Sequence, residues 1–135
     1  MREKTFPAVL ENIPQVTAWV DETLEQLNCS MKAQMQIDVA IDEIFSNIAR
    51  YAYPQGTGSA TVRIDFDETA RVFSITFLDK GTPFDPLKKD DPDTGLTVEE
   101  RSVGGLGIFL VKKTMDDMSY HYRDGQNVLC LKKTI

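Results

Sequence analysis

Hydrophobic and polar positions follow two rhythms along this chain. From Asn12 to Asn28 the residues Val16, Trp19, Val20, Thr23, Leu24 and Leu27 recur in the steps of a helix with one buried face. Asn12-Ile13-Pro14-Gln15 reads as its start, with Asn12 as cap and Gln15 placed to return the bond. Pro14 falls in the first turn, where a missing N–H costs little. Behind Ser30 as a second cap, Ile37, Ala40, Ile41, Ile44, Phe45 and Ile48 form one apolar stripe on a helix from Met31 to about Tyr51. Pro54-Gln55-Gly56-Thr57-Gly58 ends it. Period two then takes over in Ala60 to Asp67 and Val72 to Leu78, two strands joined by a short hairpin turn at Glu68 to Arg71. Glu3 to Leu10 reads as a short first strand that Pro7 confines to an edge or a strand end.

From Pro86 to Val103 the periodicity disappears into a long charged stretch interrupted by Pro92 and Gly95. Connections of that length inside a compact domain are usually functional or disordered. Helical spacing returns from Leu106 to Met115, and Met118 to Arg123 and Asn127 to Lys133 are strands about Asp124-Gly125-Gln126. The order β-α-α-β-β-loop-α-β-β predicts an α+β fold, a two-layer sandwich whose mixed, mostly antiparallel sheet carries its helices on one face. Neither a repeat nor a linker divides the chain, so residues 1–135 are expected to form a single domain.

Composition narrows the function. Of 135 residues, 41% are hydrophobic and 27% charged, enough for a core and an ordinary polar surface. No stretch approaches the roughly 18 consecutive apolar residues of a membrane span, and Met1 to Pro7 is not a secretory signal. The net charge of -6, without any basic run, would repel a phosphate backbone. Cys29 and Cys130 stand in no metal-ligand spacing and read as two buried thiols of a reducing compartment. The expectation is a cytoplasmic protein with no direct nucleic-acid or membrane contact.

Three places ask for chemistry. Glu43 and Asn47 are one helical turn apart, on a face away from the isoleucine stripe. A carboxylate beside an amide can act as general base next to a hard-cation ligand, and also occurs on any solvated helix face. Asp79-Lys80-Gly81-Thr82-Pro83-Phe84-Asp85 leaves a strand: the acid can accept from an amino group while the bare glycine admits a flat ring, though an ordinary turn reads the same way. Arg101-Ser102-Val103-Gly104-Gly105-Leu106-Gly107 opens a helix, where glycine N–H groups make an anion site or a flexible hinge.

The order and spacing of the three resemble the superfamily of ATPases that includes gyrase, Hsp90, MutL and the ATPase domains of histidine kinases. Asp-x-Gly-x-Pro-Phe-Asp-Pro and Glu-Arg-Ser-x-Gly-Gly-Leu-Gly are most similar to its anti-sigma-factor serine/threonine kinases, over nearly the whole chain. The resemblance implies a Bergerat-type ATP-binding fold with an ATP lid at about 86–104, using ATP and Mg²⁺. It implies a protein kinase that phosphorylates a Ser or Thr of a STAS-type antagonist and binds a sigma factor, and it leaves a homodimer open.

By the same resemblance Glu43 is the general base, Asn47 binds Mg²⁺, Asp79 accepts the adenine amino group and Gly81 lines the adenine pocket. Gly105 and Gly107 meet the phosphates, Gly104 extends that run, and Arg101 stabilises charge on the transferred phosphoryl group. Asn127 stands where the family has a small polar residue near the adenine. Two positions depart: Pro83 replaces a glycine of the wider superfamily, and Tyr51 stands where many relatives have histidine. His121 reads as structural or solvent-facing, the alternation of Tyr120 and Tyr122 as sheet packing, and Lys80 has no role that chemistry assigns. The alternative is a nucleotide-dependent binding module of the same fold without kinase turnover. Retention of both Glu43 and Arg101 disfavours it. A clamp-type ATPase would need a transducer domain, and the acidic composition argues against a nucleic-acid binder.

Overall fold

A computed structural model describes residues 1–88 and 103–135. The elements run β1 (Arg2–Pro7), α1 (Ile13–Gln26), α2 (Met31–Asn47), β2 (Ser59–Asp67), β3 (Val72–Asp79), α3 (Val103–Thr114), β4 (Asp117–Arg123) and β5 (Gln126–Thr134). This is the anticipated order. The five strands lie in the order β1-β2-β3-β5-β4, and all four pairings are antiparallel. Residues 89–102, the heart of the expected lid, lie outside the described residues.

Alternation along the strands sorts the two faces of the sheet. Val62, Ile64, Phe73, Ile75 and Leu131 point inward and are buried, whereas Asp65 and Lys132 face solvent. The helices cover only the inward face: Val16, Val20 and Leu24 of α1, the isoleucine stripe of α2, and Ile108 and Val111 of α3 complete the core. Phe45 of α2 is fully buried, and such a ring contributes about 1.5–3 kcal/mol. Phe6 of the edge strand meets Trp19 and Phe45 edge to face at centroid distances of 6.1 and 6.5 Å, which ties β1 to the helical layer.

Local chemistry set most boundaries. Ser30 caps α2 as expected, its hydroxyl accepting from Ala33 N at 3.1 Å. Asn12 does not cap α1. A 3-10 turn at Leu10–Asn12 precedes the helix, so Asn12 is already helical (φ -90°, ψ -5°). Its amide donates to Pro7 O at 2.8 Å, while the Gln15 amide nitrogen reaches the carbonyls of Glu11 and Asn12. The first strand consequently stops at Pro7, short of Leu10. In the β2–β3 turn, Asp67 Oδ1 accepts from Thr69 N and Ala70 N at 3.0 and 3.1 Å. The β4–β5 turn places Asp124 (φ 53°) and Gly125 (φ 76°) in the left-handed region, as a two-residue hairpin requires. Both thiols are half-buried and free, and His121 is exposed. No helix among the described residues is long and apolar enough to cross a membrane.

Candidate functional site

The antiparallel pairing of β3 with β5 sets Asp79 directly opposite Asn127 at one end of the sheet. Both side chains are buried, 5% and 6% exposed, so each needs partners within the protein. Asp79 Oδ1 accepts from Gly81 N and from Asn127 Nδ2, each at 2.9 Å. Its Oδ2 makes no hydrogen bond among the described residues. Burial raises the Asp79 pKa above the usual carboxylate range, while the bonds from Asn127 and Gly81 work to lower it. Asn127 Nδ2 also reaches Thr82 O at 3.0 Å, and its Oδ1 accepts from Phe84 N at 3.1 Å and from the Tyr120 hydroxyl.

The turn after Asp79 leans on the end of α2. The last α-helical turn passes into a π-helical turn at Ile48–Ala52, a local widening that is frequent at functional sites. Thr82 N donates to Ala52 O at 2.8 Å. A Cβ on Gly81 would collide with the carbonyl and side chain of Ala52, so glycine is required there by this close approach. Tyr53 completes the joint: its hydroxyl donates to Ser59 O at 2.5 Å and accepts from Lys80 N at 3.0 Å. The backbone, not the side chain, is thus where Lys80 is held.

A cleft opens over this floor. Ile44, Ile48, Phe77 and Leu129 supply apolar wall, Tyr51 and Phe84 stand partly exposed along it, and Asp79, Asn127 and Asn47 are its polar points. Asn47 is 9% exposed and lines the same cleft as Ile44 and Ile48, so the face carrying it is not turned to solvent. Its Nδ2 lies 3.4 Å from Glu43 Oε1, and no hydrogen bond to its amide oxygen occurs among the described residues. Glu43 in turn packs against α3: a Cβ on Gly107 would overlap its carboxylate. Gly107 therefore lets α3 cross α2 where the acid stands.

A family model described as a histidine kinase-like ATPase domain matches residues 6–133. The chain belongs to this family. Among curated relatives it is 26% identical to the serine/threonine-protein kinase BtrW of Bordetella bronchiseptica, over 84% of this chain and 79% of the relative. It is 27% identical to the serine-protein kinase RsbW of Listeria monocytogenes, over 76% and 68% of the two chains. To the serine-protein kinase RsbW of Bacillus cereus it is 25% identical, over 96% and 82%.

In this histidine kinase-like ATPase chain the structure brings together Glu43, Asn47 and Gly107 at one end of the site, and Asp79, Gly81 and Asn127 at the other. Gly104 and Gly105 fall in the first turn of α3, and Arg101 lies outside the described residues. Sequence reasoning missed Tyr53 and the hydroxyl of Tyr120. Tyr120 faces the cleft, with its ring among the lining residues, where sheet packing alone had been expected. The pairing carried the signal: Tyr120 and Tyr122, two residues apart, share the face of the sheet that bears Asn127, the partner of Tyr122.

Proposed function

We propose that this chain is an ATP-dependent serine/threonine protein kinase that phosphorylates a STAS-type antagonist and, as an anti-sigma factor, binds a sigma factor. The observation that carries nucleotide binding is the Asp79 carboxylate, buried on the floor of an apolar cleft, with no hydrogen bond to Oδ2 among the described residues. An apolar slot with one convergent acceptor fits adenine, whose flat ring is apolar and whose amino group needs an acceptor. The amide oxygen of Asn47 fits Mg²⁺, which takes few protein ligands and keeps several waters. Bound ATP with Mg²⁺ supplies the phosphoryl group. Glu43, at the same end as Asn47 and the start of α3, takes the proton of the attacking hydroxyl. Gly104, Gly105 and Gly107 offer backbone N–H groups to the phosphates, and Arg101, from the lid at 86–104, offsets charge on the moving group. The kinase names of the relatives support this activity, and the STAS and sigma partners rest on the resemblance of the Asp79 and Glu100 to Gly107 motifs.

The test is single-turnover phosphate transfer from labelled ATP to a STAS-domain protein. Glu43→Gln keeps the size of the side chain but removes the base, so ATP still binds while transfer falls about 10²–10⁴-fold. Asn47→Ala weakens productive ATP·Mg²⁺ binding and transfer together. Near-normal transfer by Glu43→Gln would remove the base assignment and favour a nucleotide-gated binder without turnover.

A further inference from the structure

The side-chain amide of Asn127 has a nitrogen and an oxygen that are nearly the same shape, so what surrounds them decides which faces Asp79. On one side stand only acceptors, Asp79 Oδ1 at 2.9 Å and Thr82 O at 3.0 Å. On the other side Phe84 N, at 3.1 Å, can only donate, and the hydroxyl of Tyr120, which could donate or accept, donates to Oδ1 beside it. Tyr120 is the one side-chain donor in that set, and it reaches Asn127 from a different strand, β4.

We infer that Tyr120 is a positioning residue for purine selection: its hydroxyl locks the Asn127 amide so that an N–H meets Asp79. Asp79 is thereby kept an acceptor for the exocyclic amino group of adenine and turned against the carbonyl of hypoxanthine. The inference rests on the nucleotide reading above. An ionised carboxylate only accepts hydrogen bonds, whereas a protonated one carries an O–H that a purine carbonyl would welcome. Burial favours the protonated form, and the N–H groups of Asn127 and Gly81 oppose it. The other titratable groups facing Asp79 give little help. Tyr53 from the end of the π-helical turn and Tyr120 itself have pKa values raised further by burial and stay neutral. Asp85 acts on Tyr120 and adds only negative charge, and Lys80, next in the chain, has its side chain in solvent. The amide that Tyr120 orients is thus the adjustable support of the Asp79 charge.

Calorimetric titration of the whole chain with ATP and with inosine triphosphate, from about pH 5 to about pH 8, tests this. Wild type is expected to prefer ATP. Tyr120→Phe removes one oxygen and keeps the ring, and loss of its hydrogen bond should narrow the preference about three- to tenfold. It should also move the acid loss of ATP binding to higher pH, which a packing role would not do. Asn127→Asp, nearly the same shape, sets a second carboxyl against Asp79; the two cannot both ionise, so the preference at neutral pH should collapse. An unchanged preference and pH profile in Tyr120→Phe, with ATP binding still lost in Asp79→Asn, would overturn the role of Tyr120 and leave nucleotide binding standing. Failure of wild type to bind ATP would overturn both.

Discussion

The cleft over Asp79 and the seam between α1 and α2 both take carboxylates out of water, and they support them in different ways. Asp79 in the cleft has two N–H donors on Oδ1: burial pushes its pKa up, and Asn127 and Gly81 hold it back. In the seam, Asp38 of α2 faces Asp21 of α1, and the Oδ1 atoms of both are shielded from solvent with no N–H donor among the described residues. Burial first, then the hydrogen bond with Asp21 and its charge, then the charge of Glu25, push the Asp38 pKa up to about 8. One proton between two carboxyls replaces the missing donors. A buried acid whose charged form is favoured by fixed N–H groups can serve as an acceptor for a ligand. An acid that keeps its proton because nothing else supports it is a structural contact.

The largest effect that separates the two regions is expected at Gly107. A methyl group there must displace the Glu43 carboxylate or α3 itself, and misplacing a reacting group by about 1 Å can cost about 10²-fold. Gly107→Ala should lower phosphate transfer on that scale in a single-turnover assay, with little change at the adenine end. Transfer at the wild-type rate would show that Glu43 need not lie against α3.

Gly81→Ala comes next. Its Cβ would meet the carbonyl of Ala52, a backbone atom that cannot swing aside, and overpacking of this kind costs about 1–3 kcal/mol. The melting temperature should fall and ATP affinity with it, because Gly81 N also supports Asp79. A stable variant with intact affinity would mean that the turn is not tied to α2.

The smallest effect lies in the seam and is one of pH. In the unfolded chain Asp38 ionises in the usual carboxylate range, and in the fold it keeps its proton up to about 8. The folded state therefore binds more protons between those limits. The contribution of Asp38 to stability is full below the unfolded pKa and is lost as pH rises through the folded one. Asp38→Asn should flatten this dependence, melting closer to the same temperature at about pH 5 and about pH 9 than wild type does. Parallel curves for the two proteins would remove the shared proton from the account.

Much of this was legible in the sequence because periodicity reports burial. The isoleucine stripe of α2, the alternation of β2 and β3 and the Ser30 cap all appear where their patterns put them. The failures were places where packing or a neighbouring turn outweighed a local pattern. Asn12 has the composition of a cap, yet the turn before α1 moves it into the helix and gives its amide to Pro7. Asn47 was read as part of a face away from the core, but a helical wheel ignores the cleft wall, and the amide is buried. Gly81 was found by its motif, but its close approach to Ala52 had no signal, since Ala52 is distant in sequence. The acid pair of Asp21 and Asp38 had no signal at all: only the packing of α1 on α2 makes them neighbours.

Calorimetric titration with ATP of wild type, Asp79→Asn and Asp38→Asn tests the central claim most directly. In Asp79→Asn the charge is gone and an NH₂ can face the adenine amino group. A hydrogen bond to a charged group contributes about 1.5–3 kcal/mol, so affinity should fall about tenfold to more than a hundredfold. Asp38→Asn should bind ATP as wild type does, because its carboxyl serves only the seam. Undiminished ATP binding by Asp79→Asn would contradict the account.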